Sequence, residues 1–253
     1  MADEDALVLL HALGMSPRVW DGVRPWLEPH RAVVALTALG HRGGAPAARR
    51  PVRVSDLVDH AERALDERGL ERPHVAGNSL GGWMAIELAR RSRARTVCAL
   101  SPAGAWTAGT AEQTVGVRKI RAARRGARLG RRVPVLMRSA VARRLALGAI
   151  AVHGERTTAE QALQAAHDLV DCPVVDDILA TDEEIAPLDP LPCPITLAWA
   201  GADAITPVEV NGAAARARLP RARFVVLSGV GHVPMIDDPH GVATTILLAS
   251  ERG

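Results

Sequence analysis

The six residues Gly77-Asn78-Ser79-Leu80-Gly81-Gly82 constrain this chain more than any other feature. They stand between a short apolar run, His74-Val75-Ala76, and a helix-like stretch from Trp83 to Arg90. A serine between small residues at this spacing fits the sharp strand-to-helix turn called a nucleophile elbow. The turn forces its central residue into strained backbone geometry, so Gly77 and Gly81 must be small for strand, turn and helix to pass one another. Ser79 Oγ would then project from the strand end. The same pentapeptide also reads as a Gly-rich turn in which Ser79 only caps a helix.

A search for partners separates the two readings. A serine nucleophile at such an elbow works with an acid after a late strand and a histidine after the last one. Pro194 to Ala200 reads as a buried strand and runs into Gly201-Ala202-Asp203, which makes Asp203 the candidate acid. Arg223 to Leu227 reads as the next strand and ends in Ser228-Gly229-Val230-Gly231-His232, where glycines let a loop fold back over the sheet. His232 is the candidate base. Taken singly, Asp203 is a turn former or helix cap and His232 a hydrogen-bonded bystander. Together with Ser79 they fall in the required order, each at the carboxyl end of a predicted strand.

On these motifs the sequence resembles the α/β-hydrolase superfamily, from about Leu7 to the last helix, and looks like a small bacterial serine hydrolase. His11-Ala12-Leu13-Gly14-Met15-Ser16, with Trp20 beyond it, is similar to the family's His-Gly oxyanion loop. Ala12 stands where the family usually has glycine, and would be strained if that position needed positive φ. The resemblance implies a three-layer α/β-hydrolase fold, with a mostly parallel sheet of about six strands and a helical cap insertion. It also implies Ser79, Asp203 and His232 as catalytic residues, with backbone N–H groups of Leu80 and Leu13 forming the oxyanion hole. His11, Trp83 and Trp106 are the residues expected near substrate. The implied reaction is carboxylesterase-like cleavage of a small or medium acyl ester or thioester through an acyl-enzyme on Ser79. Alternatives are a carbon–carbon bond hydrolase of ring-cleavage products, an acyltransferase or perhydrolase, and a non-hydrolytic ligand-binding protein of the same fold. Against the first stands Val233, where such hydrolases usually carry an aromatic residue after the histidine.

The alternation of strand-like and helix-like segments independently implies a parallel sheet covered on both faces. Leu7 to Leu10 and Arg31 to Thr37 are early strands, and Trp20, Val23 and Leu27 recur between them at helical spacing. Ser55 is placed to cap a helix over Asp56 to Gly69. From about Gly104 to Ala186 the alternation stops, and there the resemblance implies an inserted helical cap, with residues 1–103 and 186–253 as the core and 104–185 as the cap.

Within the expected cap, Arg118 to Arg144 contains eleven Lys and Arg and no Asp or Glu. Asp176, Asp177, Asp182, Glu183 and Glu184 follow. A basic lid would attract acidic substrates; a solvated helix face, partly neutralised by the acidic return segment, is the reading preferred. Nucleic acid is not an expected partner, since the net charge is only +3 and no aromatic stacking platform accompanies the arginines. The chain has no Tyr and one Phe, so the pocket should be chiefly aliphatic. Neither a phosphate cradle nor a cluster of metal-ligand spacing is present, and no cofactor or metal is expected. The acidic opening Met1-Ala2-Asp3-Glu4-Asp5 is unlike a secretory signal, and Cys98, Cys172 and Cys193 show no paired spacing. We therefore expect a cytoplasmic monomer or homodimer with free thiols, a small-molecule substrate and no membrane insertion.

Overall fold

Short, mostly apolar runs of five or six residues become strands buried on both faces, as the inner strands of a parallel sheet require. The computed structural model describes residues 6–251, without the side chains of residues 111 and 112, so the acidic residues Asp3, Glu4 and Asp5 lie outside it. The strands are β1 (Ala6–Leu10), β2 (Ala32–Leu36), β3 (His74–Asn78), β4 (Thr96–Leu100), β5 (Ile195–Ala200) and β6 (Arg223–Leu227). Their order is β2-β1-β3-β4-β5-β6, and every neighbouring pair is parallel. β1, β3, β4 and β5 are buried throughout, whereas the edge strands β2 and β6 are partly exposed.

Side chains alternate between two cores, as the strand period of two dictates. Val8, Val75, Val97 and Leu197 face a core shared with Leu57 and Ile86, while Leu9, Ala76, Cys98 and Ala198 face one shared with Trp20, Leu27 and Ile246. In chain order the helices are α1 (Arg24–Leu27), α2 (Val54–Asp66), α3 (Leu80–Arg90), α4 (Ala111–Arg132), α5 (Ala140–Leu147), α6 (Ala159–Val170), α7 (Val175–Leu179), α8 (Ala213–Arg218), α9 (Pro234–Asp237) and α10 (Pro239–Ser250). The first core is covered by α2, α3 and α8, the second by α1 and α10. No helix among the described residues is long and apolar enough to cross a membrane.

Ser55 does not cap α2, contrary to expectation. The helix begins at Val54, two residues before the expected Asp56, and carboxylates take the amides at its start: Asp56 accepts from the N–H of the cap residue Arg53 at 2.9 Å and Glu183 from the Val54 N–H at 2.9 Å. Glu183 belongs to the acidic segment expected to neutralise the cationic run. Most of that segment instead docks on the core. Asp177 binds Arg50 and the Val52 N–H and Glu184 binds Arg218, while Asp176 reaches α4, at Arg124. A second α4 arginine, Arg131, pairs with Asp171 at the end of α6.

The sheet order reverses at β1, which sends the chain to β2 on one side and lies against β3 on the other. In open α/β sheets this crevice, outside the carboxyl ends of the strands, is where ligands bind. The loop after β1 carries Leu13, and the turn after β3 carries Ser79. Helices α4 to α7, between β4 and β5, lie over that end: a Cβ built on Gly14 would strike Leu169 of α6 at 2.5 Å.

Candidate active site

Ser79 occupies the turn between β3 and α3 with φ 55° and ψ −114°, a conformation that costs on the order of 1–3 kcal/mol for a residue with a side chain. Close packing on both sides holds it there. A Cβ on Gly77 would meet the Gly81 carbonyl oxygen at 2.1 Å, and one on Gly81 would meet the Leu10 carbonyl oxygen at 2.2 Å. Both glycines are therefore required by backbone approach, not only by turn propensity. The Ser79 N–H donates to the Leu100 carbonyl at 2.9 Å, and its own carbonyl accepts from Ala103 at 2.9 Å, which ties the elbow to the end of β4.

Asp203 follows β5 and His232 follows β6. The two are buried and joined by a 2.8 Å hydrogen bond between His232 Nδ1 and Asp203 Oδ2. The carboxylate also accepts from the Ile205 and Thr206 N–H groups at 2.9 and 2.8 Å, and from the Thr206 hydroxyl at 3.0 Å. Burial pushes the Asp203 carboxyl up, but His232 and the donors from Thr206 and Ser101 outweigh it and hold the group below the usual carboxylate range. Asp203 is thus an anion fixed on one nitrogen of the ring. Ser79 and His232 wall the same cavity, of about 980 Å³.

Leu13 borders this cavity and a second of about 550 Å³ that also reaches Ser79; Leu80 borders the second. Leu80 opens α3, where backbone N–H groups have no partner within the helix. Ala12 is not among the positive-φ residues; Gly14, at φ 68°, makes the turn of this loop, so alanine at 12 is unstrained.

Two expected substrate contacts do not reach the site. His11 borders neither cavity at Ser79. Its Nε2 accepts from the Ala38 N–H at 3.1 Å and its Nδ1 donates to the Ala12 carbonyl at 2.9 Å, so both ring nitrogens are spent on backbone. Trp83 likewise borders neither cavity and packs edge-on against Trp106, centroids 5.7 Å apart, beneath Gly104. Trp106 does border the smaller cavity.

Four residues not singled out in the sequence brace this site. Asn78 donates from Nδ2 to the Leu100 and His232 carbonyls at 3.1 and 2.9 Å, joining the elbow to the histidine loop. Thr206 holds Asp203, as above. The carboxylate of Asp237 accepts from Gly231, Val152 and His153 N–H groups at 2.7, 3.0 and 2.6 Å, pinning the segment between β4 and β5 onto the histidine loop. Asp168 of α6 accepts from the Ser16 hydroxyl at 2.6 Å and from Arg42 at 3.2 Å, fastening α6 to the loop after β1 and to the segment after β2.

Buried histidines give the fold a pH dependence. Desolvation, with His41 alongside, lowers the His11 pKa to about 3, and desolvation also lowers that of His41. The unfolded chain protonates these rings near 6.5, so at His11 between about pH 6.5 and 3 it binds a proton the native state refuses, His41 acts in the same direction, and stability falls as pH falls. The expected slope for His11 is about 1.4 kcal/mol per pH unit. Urea midpoints measured from pH 7.5 to 5 should drop; an unchanged midpoint would mean that the rings charge in the folded protein.

Comparison with known proteins bears on what such a site does. A family model described as "Alpha/beta hydrolase family" matches residues 7–245. "Epoxide hydrolase EphH" of Mycobacterium tuberculosis (strain ATCC 25618 / H37Rv) is 33% identical over 201 residues, 75% of this chain and 91% of that protein. "Pimeloyl-[acyl-carrier protein] methyl ester esterase" of Aromatoleum aromaticum (strain DSM 19018 / LMG 30748 / EbN1) is 32% identical over 259 aligned residues, 95% of this chain and 96% of that protein. A solved hydrolase from Pseudomonas aeruginosa PA01 has a similar fold, with a TM-score of 0.72 at 21% identity over 98% of this chain and 90% of its own.

Proposed function

The chain belongs to the alpha/beta hydrolase family, and from that premise we propose that it is a serine hydrolase cleaving an ester or thioester of a small or medium acyl group. The observation that carries this reading is the 2.8 Å His232–Asp203 hydrogen bond beside a cavity shared by His232 and Ser79. His232 removes the Ser79 proton as Oγ attacks the carbonyl carbon, while Asp203 fixes the tautomer that leaves Nε2 free to accept it. N–H groups of Leu13 and Leu80 bind the oxyanion. Collapse of the intermediate expels the alcohol or thiol with the proton from His232, and water activated by the same ring releases the acid. Helices α4 to α7 serve as the cap.

Epoxide opening, the activity named for the Mycobacterium relative, fits these residues less well. Attack by a serine hydroxyl on an epoxide carbon would leave an ether, which water does not hydrolyse as it does an acyl-enzyme. The chain also contains no tyrosine to protonate the opening oxygen. A panel of p-nitrophenyl esters, thioesters, lactones and an aliphatic epoxide tests the reading. Turnover of esters without the epoxide is expected; epoxide hydrolysis alone would contradict it. A cytoplasmic location belongs to the same reading, supported by three buried free cysteines, whose thiols burial pushes up to about 11 or 12.

The cap arginines do not belong to this chemistry. Arg118, Arg121, Arg125 and Arg128 are exposed, whereas the cavity meets the Gly116, Ile120, Ala123 and Ala127 side of α4. Between about 10 and 300 mM salt, kcat/KM for a carboxylated ester and a neutral ester of equal length should change equally little. A steep fall for the acidic ester alone would make the arginines a steering surface. A carrier-bound acyl ester, like that named for the Aromatoleum relative, would then become the first substrate to try.

A further inference from the structure

Ser79 stands at the junction of two lobes of different chemistry. The larger lies under α4, α5 and α6, and apart from Ser79 and His232 its wall is aliphatic. The smaller runs past Leu80 and holds Trp106, Gln113, Thr206 and Asn211. Leu13, Ile120 and Ile205 border both.

The sequence of α4 makes the room. Gly116, Ile120, Ala123, Ala127 and Gly130 recur at alternating spacings of four and three, which places them along one helix face. Large aliphatic residues at this spacing would fill the space with side chains; glycine and alanine leave it open. Gly126 stands at the exposed rim of the large lobe, whereas the half-buried Ala123 and Ala127 line its interior.

We infer that the large lobe receives the leaving group, so that the substrate is an ester of a short acid with a long, uncharged aliphatic alcohol. This rests on the acyl-enzyme reading above. In that reaction the bond from the acyl carbon to Ser79 Oγ forms and the bond to the alkoxide oxygen breaks, and that oxygen takes up the proton His232 removed from Ser79. The leaving oxygen must therefore come within hydrogen-bonding reach of His232. Of the two lobes only the larger has His232 in its wall. The acyl group is left to the smaller lobe. A long alkyl chain finds no charged side chain to desolvate along the larger wall, and hydrolytic water follows by the path the alcohol leaves.

The test compares two homologous series kept below their aggregation limits: acetates of ethanol through decanol, and ethyl esters of acetic through decanoic acid. For the acetates kcat/KM should rise about three- to fourfold per methylene until the lobe is full. The ethyl esters should gain nothing beyond the short acids. Ala127→Leu should shorten the preferred alcohol by several carbons without moving the preferred acid, and leucine is a good helix former, which keeps α4 folded. Ala166→Leu, on the α6 wall, should act the same way. A rise with acid length in place of alcohol length, or a shift of the preferred acid in Ala127→Leu, would overturn the inference and leave the esterase reading intact. Failure to turn over either series, with no fluorophosphonate label on Ser79, would overturn both.

Discussion

Ser79→Ala is expected to lower kcat by about 10⁴-fold or more while the protein stays folded. Alanine keeps the Cβ and therefore bears the same strained backbone as serine, at φ 55° and ψ −114°, so nothing in the elbow changes except the hydroxyl. Ser79→Gly should be equally inactive but more stable, because glycine tolerates that conformation without steric cost. Kinetics on a p-nitrophenyl ester together with thermal melts check both variants. Residual activity within tenfold of wild type in a folded Ser79→Ala protein would remove Ser79 from the chemistry.

His232→Ala should be nearly as damaging, because hydroxyl and imidazole act as one unit. Asp203→Asn should cost less, on the order of 10²–10⁴ in kcat. An asparagine side-chain oxygen at 203 would still accept from the Ile205 and Thr206 N–H groups, so the loop holds its shape. Its amide would face His232 Nδ1 with a donor in place of an acceptor, and the ring would turn to the tautomer that cannot take the Ser79 proton. The two losses should not multiply. If the Ser79→Ala, His232→Ala double variant shows the full product of the single losses, the residues do not work together.

Local pattern carried much of this structure. Each strand is built around a short apolar stretch, and the alternation of these stretches with helix-like segments implies the parallel sheet that β1 to β6 form. Ser79, Asp203 and His232 stood out as candidates because each follows a strand closely with glycine near it, and the structure joins Asp203 to His232 and places His232 on the cavity of Ser79. Ser55, His11 and Trp83 were misplaced for a shared reason. Their surroundings are set by distant partners: Glu183 for the start of α2, the Ala38 N–H for His11, and Trp106 for Trp83. The bracing residues Asp168 and Asp237 likewise act across long sequence separations that no local window contains. Two signals were present in plain view. Asn78 lies inside the elbow motif itself, and the small residues of α4 recur at helical spacing beneath the more conspicuous arginines.

The central claim is that Ser79 Oγ is the nucleophile, and covalent capture tests it most directly. A fluorophosphonate should react stoichiometrically with the native protein, and peptide mass spectrometry should find the adduct on Ser79 and lose it in Ser79→Ala. His232→Ala should be labelled far more slowly, since the hydroxyl would lack its base. An adduct on another residue, or one that persists in Ser79→Ala, would contradict the account.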